Sequence, residues 1–265
     1  MALFKRKRKA EPRQIVWTAP SDCEHYVGCR MVLDEPAVLI AGATGSGKSV
    51  YEEHLLQTLM TCKVPSLNCS SGAVMWLADP KRVQLRQFVE GNPFVKNGGR
   101  YADTLESIET MLEDLVAVMD ERYAIMQAEG VTDWQYGHIY CFIDELADLM
   151  ISAKARTTKS LTKLLQLCRA SGIHMVMLTQ CPNRTVISAP IQCNVTASVA
   201  LRCRTAIESR QIIGRNGAEL LPKHGKVLFN IGCEKYNMDI PMVDRGRTAR
   251  LIGHWHEQAI LNGVA

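Results

Sequence analysis

Residues 42–49 read Gly42-Ala43-Thr44-Gly45-Ser46-Gly47-Lys48-Ser49, the pattern G-x-x-x-x-G-K-S. The apolar run Ala37-Val38-Leu39-Ile40-Ala41 precedes it, and a helix-like stretch over residues 49–61 follows. A strand that feeds a glycine turn and then a helix lets backbone N–H groups turn inward onto an anion. The helix points its positive dipole end at the same place. The stretch therefore predicts a phosphate-binding loop. In it Gly42, Ala43, Thr44, Gly45, Ser46 and Gly47 wrap the phosphates, Lys48 reaches the outer two, and the Ser49 hydroxyl ligates Mg²⁺.

Working outward, strand-like runs cover residues 37–41, 73–77, 139–143, 174–178, 195–201 and 226–229, with a short one at 15–18. Helix-like segments cover 49–61, 104–129 and 158–171. The second carries Ile108, Met111, Leu112, Leu115 and Met119 at helical spacing. Alternating strand and helix predicts an α/β fold, a mainly parallel sheet with helices on both faces.

A second signal is His138-Ile139-Tyr140-Cys141-Phe142-Ile143-Asp144-Glu145. An apolar strand ending in two acids resembles a Walker B motif. Asp144 is placed to hold Mg²⁺ and Glu145 to orient and deprotonate an attacking water. The spacing between the two motifs leaves room for an extra strand and helix. Leu178-Thr179-Gln180 ends the next strand with a polar side chain, Gln180, suited to contacting a γ-phosphate.

With 265 residues, the chain has room for one large domain or two small ones. No apolar stretch approaches the ~20 residues of a membrane-spanning helix, and nothing at the N-terminus reads as a signal peptide. The ten cysteines form no C-x-x-C pair, which argues against zinc and for a reduced, intracellular chain. His254-Trp255-His256 reads as surface, because residues so close on a helix do not share a face.

Charge is unevenly placed. Residues 5–9 are Lys-Arg-Lys-Arg-Lys, so the net +4 leaves −1 for the remainder. Residues 101–150 hold twelve acids and one base, and residues 151–226 hold twelve bases and two acids. This asymmetry reads either as a polyanion-facing side or as two solvated faces.

Asp79-Pro80-Lys81, residues 120–126 (Asp-Glu-Arg-Tyr-Ala-Ile-Met), residues 143–150 (Ile-Asp-Glu-Leu-Ala-Asp-Leu-Met), residues 169–174 (Arg-Ala-Ser-Gly-Ile-His), Thr179-Gln180, Ser209-Arg210 and Gly217-Ala218-Glu219 follow one another in that order. Over about residues 35–232 this resembles the FtsK/SpoIIIE motor domain. The resemblance implies a RecA-like P-loop NTPase fold, a homo-hexameric ring, ATP and Mg²⁺, and translocation along double-stranded DNA. It makes Lys48, Glu145, Arg169 and Gln180 the catalytic set, with Arg169 offered in trans to a neighbouring subunit's γ-phosphate. The family commonly has Thr-Gln-Arg-Pro where this chain has Thr179-Gln180-Cys181-Pro182, so a phosphate-sensing arginine is missing. Arg184 is a nearby substitute.

The expected organisation is a basic tail over residues 1–20, a motor over 21–245 and a C-terminal surface helix over 246–265. That is a stand-alone motor of the kind carried by mobile elements. The stretch 152–159, with Lys154, Arg156 and Lys159, reads as a basic loop that contacts DNA phosphates or as solvated surface. Arg184, Arg202 and Arg204 stand next in line for DNA. The tail is suited to DNA, an acidic or relaxase-type partner, or an anionic membrane surface. The expected location is cytoplasmic, peripheral to a membrane through a partner. Two other readings stay open: an ATPase that powers protein secretion, and a nucleotide-dependent scaffold without turnover.

Overall fold

A computed structural model describes residues 27–61, 73–152 and 155–261. The basic tail, the strand expected at 15–18, and Lys154 lie outside the described residues. Six parallel strands come first in the chain: β1 (Ala37–Ala41), β2 (Ala73–Ala78), β3 (Arg100–Ala102), β4 (His138–Ile143), β5 (Ile173–Thr179) and β6 (Ala197–Ala200). A hairpin of β7 (Lys226–Ile231) and β8 (Glu234–Asp239) adds two antiparallel strands at one edge. The order across the sheet is β3-β2-β4-β5-β1-β6-β7-β8.

Among the described residues nine helices cover the sheet: α1 (Val27–Leu33), α2 (Lys48–Thr61), α3 (Pro93–Lys96), α4 (Leu105–Glu129), α5 (Leu146–Ser152), α6 (Ala155–Leu167), α7 (Ala189–Asn194), α8 (Ala206–Ile213) and α9 (Arg245–Leu261). Successive side chains of β1 serve opposite layers, as strand geometry requires. Val38 and Ile40 pack with α1, α2 and α9, whereas Leu39 packs with α4, α5 and α6. Every residue of β1 is buried, which explains why it reads as a continuous apolar run.

Within the described residues the strands read from sequence are present, with ends shifted by a few residues at most. The extra strand between the two motifs also exists: β2 and β3 fill the chain between them, and β5 is inserted between β1 and β4 in the sheet. The three-residue β3 and the largely exposed β8 were not read as strands. One is too short for periodicity to show, and the other holds Glu234, Lys235, Asn237 and Asp239 on a hairpin edge.

Two readings are corrected. Residues 155–159 are not a loop, because α6 begins at Ala155. Trp255 is not a surface residue: it is 3% exposed, and its indole N–H donates to the Met60 carbonyl at 2.6 Å. The reason is α2. Its last eleven residues, 51–61, are all buried, polar ones included, because α9 packs over the side turned from the sheet. Gln57 Nε2 donates to Thr248 Oγ1 (2.9 Å), and Thr248 Oγ1 donates to Glu53 Oε1 (2.6 Å). Buried polar groups of this kind are tolerated when they bond to one another.

The basic and acidic blocks also meet. Arg156 forks onto Glu113, Lys163 Nζ lies 2.7 Å from Asp120, and Thr157 donates to Glu109 at 2.9 Å. The acids of α4 and bases of α6 therefore neutralise each other in part across a helix pair.

At the opposite end of the sheet from the glycine loop, His138, His174 and Tyr140 stack between β4 and β5. The Glu35 carbonyl can only accept, so His174 Nδ1 donates to it (3.1 Å), leaving Nε2 to accept from His138 Nδ1 (3.0 Å). The His174 ring, donating at one nitrogen and accepting at the other, is therefore neutral. Burial holds each at about 4, and for His138 the nearby Arg122 guanidinium adds to this. An unfolded histidine takes up its proton near pH 6.5. The unfolded chain thus binds protons the folded chain refuses, and stability falls as pH drops from 6.5 toward 4. The free energy of urea unfolding should fall by about 2 kcal/mol between pH 7 and pH 5 through His174 alone. His174→Gln should flatten that slope.

Candidate nucleotide site

The sheet register brings the site together. Ala41 pairs with Thr179, and Ile143 pairs with Met177. Three strand ends, β1, β5 and β4, therefore finish at one level. The loop leaving β1 spans its two neighbours: Gly42 N–H donates to Thr179 O (3.3 Å) and Ala43 N–H to Arg202 O (2.9 Å). Gly45 and Gly47 have φ of 75° and 94°, a region that glycine enters without strain. A Cβ on Gly42 would lie 2.7 Å from both Leu201 Cβ and Ser46 Oγ.

The loop is shaped for a polyphosphate. Ser46 Oγ is buried without a partner among the described residues. Lys48 is 5% exposed, and its ammonium donates to the Asp144 carbonyl (2.9 Å) and to Oδ1 (3.4 Å), with the Glu52 and Glu145 carboxyls close enough to feel its charge. A buried ammonium so placed is a ready partner for phosphate oxygens entering the loop. A cavity of about 280 Å³ runs along residues 43–50 and is walled by Gln180, His224 and Met242.

Glu145, the acid after Asp144, is 3% exposed and held at both oxygens. Oε1 accepts from the Gln180 N–H (3.0 Å), and Oε2 pairs with Lys81 Nζ (2.8 Å). Burial pushes its carboxyl upward. The hydrogen bonds from Lys81 and Gln180, with Lys48 nearby, outweigh that and hold it below the usual carboxylate range. The Gln180 side chain accepts from Thr44 Oγ1 at 2.7 Å, tying the end of β5 to the phosphate loop.

Lys81, to which sequence reading gave no role, is the cation that pairs with Glu145. It reaches Glu145 because Asp79 builds the loop that carries it. The buried Asp79 carboxylate accepts from the N–H groups of Val83 (3.3 Å), Leu85 (3.0 Å) and Arg86 (3.2 Å). Glu52, one turn beyond Lys48 on α2, is fully buried. Burial first, and then Asp144, push its carboxyl well above the ordinary range, with Lys48 opposing.

Other expected residues lie apart. Arg169 is exposed just before β5, whereas the site lies just beyond that strand. The seven residues of β5 separate them by roughly 20 Å, so Arg169 does not serve its own subunit's loop. Arg184, the substitute considered for the arginine missing at Cys181, lines a separate cavity with Gln192 of α7 and Arg210 of α8. Arg202 and Arg204 lie beside the glycine loop, around a second cavity of about 260 Å³ behind Thr44 and Gly45.

This fold and site define a RecA-like P-loop ATPase. The FtsK/SpoIIIE family model matches residues 5–140, and the chain belongs to that family. It is similar to the DNA translocase FtsK of Sporosarcina ureae, 33% identical over 213 residues, which cover 73% of this chain and 26% of that protein. The DNA translocase FtsK of Streptomyces coelicolor is 31% identical over 253 residues, covering 84% of this chain and 26% of that one. The chain thus spans about a quarter of the length of these relatives. Among solved structures it resembles the pCW3 conjugation coupling protein TcpA in a monomer form with ATPγS (TM-score 0.69, 22% identity, 84% of this chain and 66% of that one). It also resembles the cytoplasmic domain of the Thermomonospora curvata type VII secretion ATPase EccC (TM-score 0.67, 19% identity, 83% of this chain and 28% of that one).

The Lys81–Glu145 pair generates a prediction with a definite sign. Removing the cation raises the carboxyl's pKa, so its basic form disappears at a higher pH. The acidic limb of the ATPase pH–rate profile should therefore move upward in Lys81→Ala and stay in place in Lys81→Arg. An unmoved limb in Lys81→Ala would mean that Glu145 does not set it.

Proposed function

We propose that this chain is the motor of a ring that hydrolyses ATP to move double-stranded DNA. The observation that carries this reading is the convergence of Lys48, Asp144, Glu145 and Gln180 on one glycine loop in a chain of this family. Ser49 and Asp144 are the residues to hold Mg²⁺, since one presents an exposed hydroxyl and the other a carboxylate at a strand tip. The ion would neutralise phosphate charge and orient the terminal phosphoryl group. Lys48 leaves Asp144 for the phosphates. Glu145 takes a proton from the attacking water, and Gln180 links that carboxylate's N–H donor to Thr44 on the loop. Arg169, too far from its own loop, acts on a neighbour's terminal phosphate in a homo-hexamer, where a guanidinium stabilises charge spreading over the phosphoryl oxygens.

For DNA, we take Lys159 on α6 with Arg202 and Arg204 beside the glycine loop, three of the cations without an ion-pair partner among the described residues. Arg156 is engaged with Glu113, and an exposed, solvent-screened pair of this kind is easily exchanged for a phosphate. Contacts to phosphates rather than bases suit a motor indifferent to sequence. We assign the DNA to a mobile element's transfer or segregation, with the basic tail docking a relaxase-type or membrane partner on the cytoplasmic side.

Duplex DNA should stimulate ATP hydrolysis. Glu145→Gln should keep nucleotide binding and abolish turnover. Replacing Lys154, Arg156 and Lys159 together by alanine should lower the salt slope of duplex binding by up to about 3, near 0.9 for each phosphate no longer neutralised. ATPase activity indifferent to DNA would favour a protein-moving motor, and absence of turnover would favour a scaffold.

The trans role of Arg169 has its own test. Mixing inactive Arg169→Ala and Glu145→Gln subunits should restore part of the ATPase rate, because some junctions then hold both groups intact. No recovery at any ratio, with rings formed, would remove Arg169 from the site.

A further inference from the structure

We propose that Met242 and His224, together with Val50, form the clamp that holds the nucleotide's base. This deepens the reading that residues 42–49 take the triphosphate, and it names residues that no phosphate motif includes.

The direction of the nucleotide follows from the loop. The terminal-phosphate end is fixed where Lys48, Glu145 and Gln180 meet. The N–H groups of a glycine loop and the first helical turn run along the phosphate chain, so the inner phosphate lies toward Ser49 and Val50. The sugar and base must leave the loop beyond Val50. The walls of the cavity that belong neither to residues 43–50 nor to the catalytic end are His224 and Met242.

Both side chains suit a flat heterocycle. Met242 is 82% exposed, an unusual position for a large apolar side chain at the mouth of a cavity. A thioether packs favourably against aromatic rings, and an imidazole offers a face for stacking. The His224 ring lies close over the loop, with Nδ1 4.0 Å from the position of a Cβ on Gly47.

The placement is built into the fold. Ile240 N–H donates to Gly225 O (2.8 Å), binding the segment before Met242 to the one after His224. Gly225 itself has φ of 86°, which turns the chain sharply after His224. The Pro241 carbonyl accepts from His54 Nε2 (2.9 Å), which pins the residue next to Met242 onto α2. Beyond it, α9 is anchored to α2 by Thr248 and Trp255. Met242 thus projects from a short stretch fixed on both sides, and the helix that begins at the phosphate loop also positions the base wall.

The test compares ligands with and without a base. Calorimetry should show that Met242→Ala and His224→Ala each weaken ADP about five- to tenfold, whereas inorganic tripolyphosphate binds as to the wild type. Met242→Leu should keep most of the ADP affinity. Unchanged ADP affinity in both alanine variants would overturn the clamp, as would equal weakening of ADP and tripolyphosphate. Met242 is exposed, so the urea midpoint of its variants should match the wild type and exclude misfolding. Lys48→Ala separates the two levels of the reading. Loss of both ligands upholds the phosphate loop, whatever the clamp variants show. Retention of both would remove the loop and the clamp with it.

Discussion

A single buried ammonium organises this molecule. Lys48 is 5% exposed, and its ammonium is hydrogen-bonded to the carbonyl and carboxylate of Asp144, with the Glu52 and Glu145 carboxyls close by. An unpaired charge at that depth would cost several kcal/mol, so the loop after β1 and the tip of β4 must arrive together. They belong to strands that are not neighbours. β5 stands between them, and its register with both brings Asp144 within reach of Lys48 and places Gln180 beside Glu145. Asp144 and Glu52 also lie against each other in this buried space, and burial together with Asp144 pushes the Glu52 carboxyl well above the ordinary range.

The second dependence runs through α2. This helix starts at the phosphate loop and is buried over its last eleven residues, with Glu53, His54, Gln57 and Thr61 among them. Three of its polar side chains are accommodated because α9 and the segment before it supply partners, and Thr58 and Thr61 bond back to the helix's own carbonyls. His54 bonds to Pro241, Gln57 and Glu53 to Thr248, and the Trp255 indole reaches the backbone of Met60. The C-terminal helix is therefore joined mechanically to the nucleotide loop. A shift of α2 by a fraction of an ångström has to be answered in α9, since close-packed interiors do not absorb it.

Charge shows the same economy of placement. The acids of α4 and the bases of α6 look in sequence like separate fields, but Arg156 and Lys163 meet Glu113 and Asp120 across the helix pair. Cations left without partners among the described residues, such as Arg169, Arg202 and Arg204, stand at the ends of strands.

By itself the sequence determined the phosphate loop, the acidic strand end, the order of strand and helix and the family. Each of these is written in contiguous residues whose local spacing carries the physics, as in Gly42 to Ser49 or Ile143 to Glu145. It did not determine that Lys81 grips Glu145, that Trp255 is core, that Arg156 is occupied by Glu113, or that His224 and Met242 wall the nucleotide cavity. These are meetings of residues far apart in the chain, Lys81 with Glu145 and His54 with Pro241 among them. Strand order and register decide such meetings. A pattern of local periodicity holds no information about which distant partner will lie opposite, because that choice is made by the packing of whole elements.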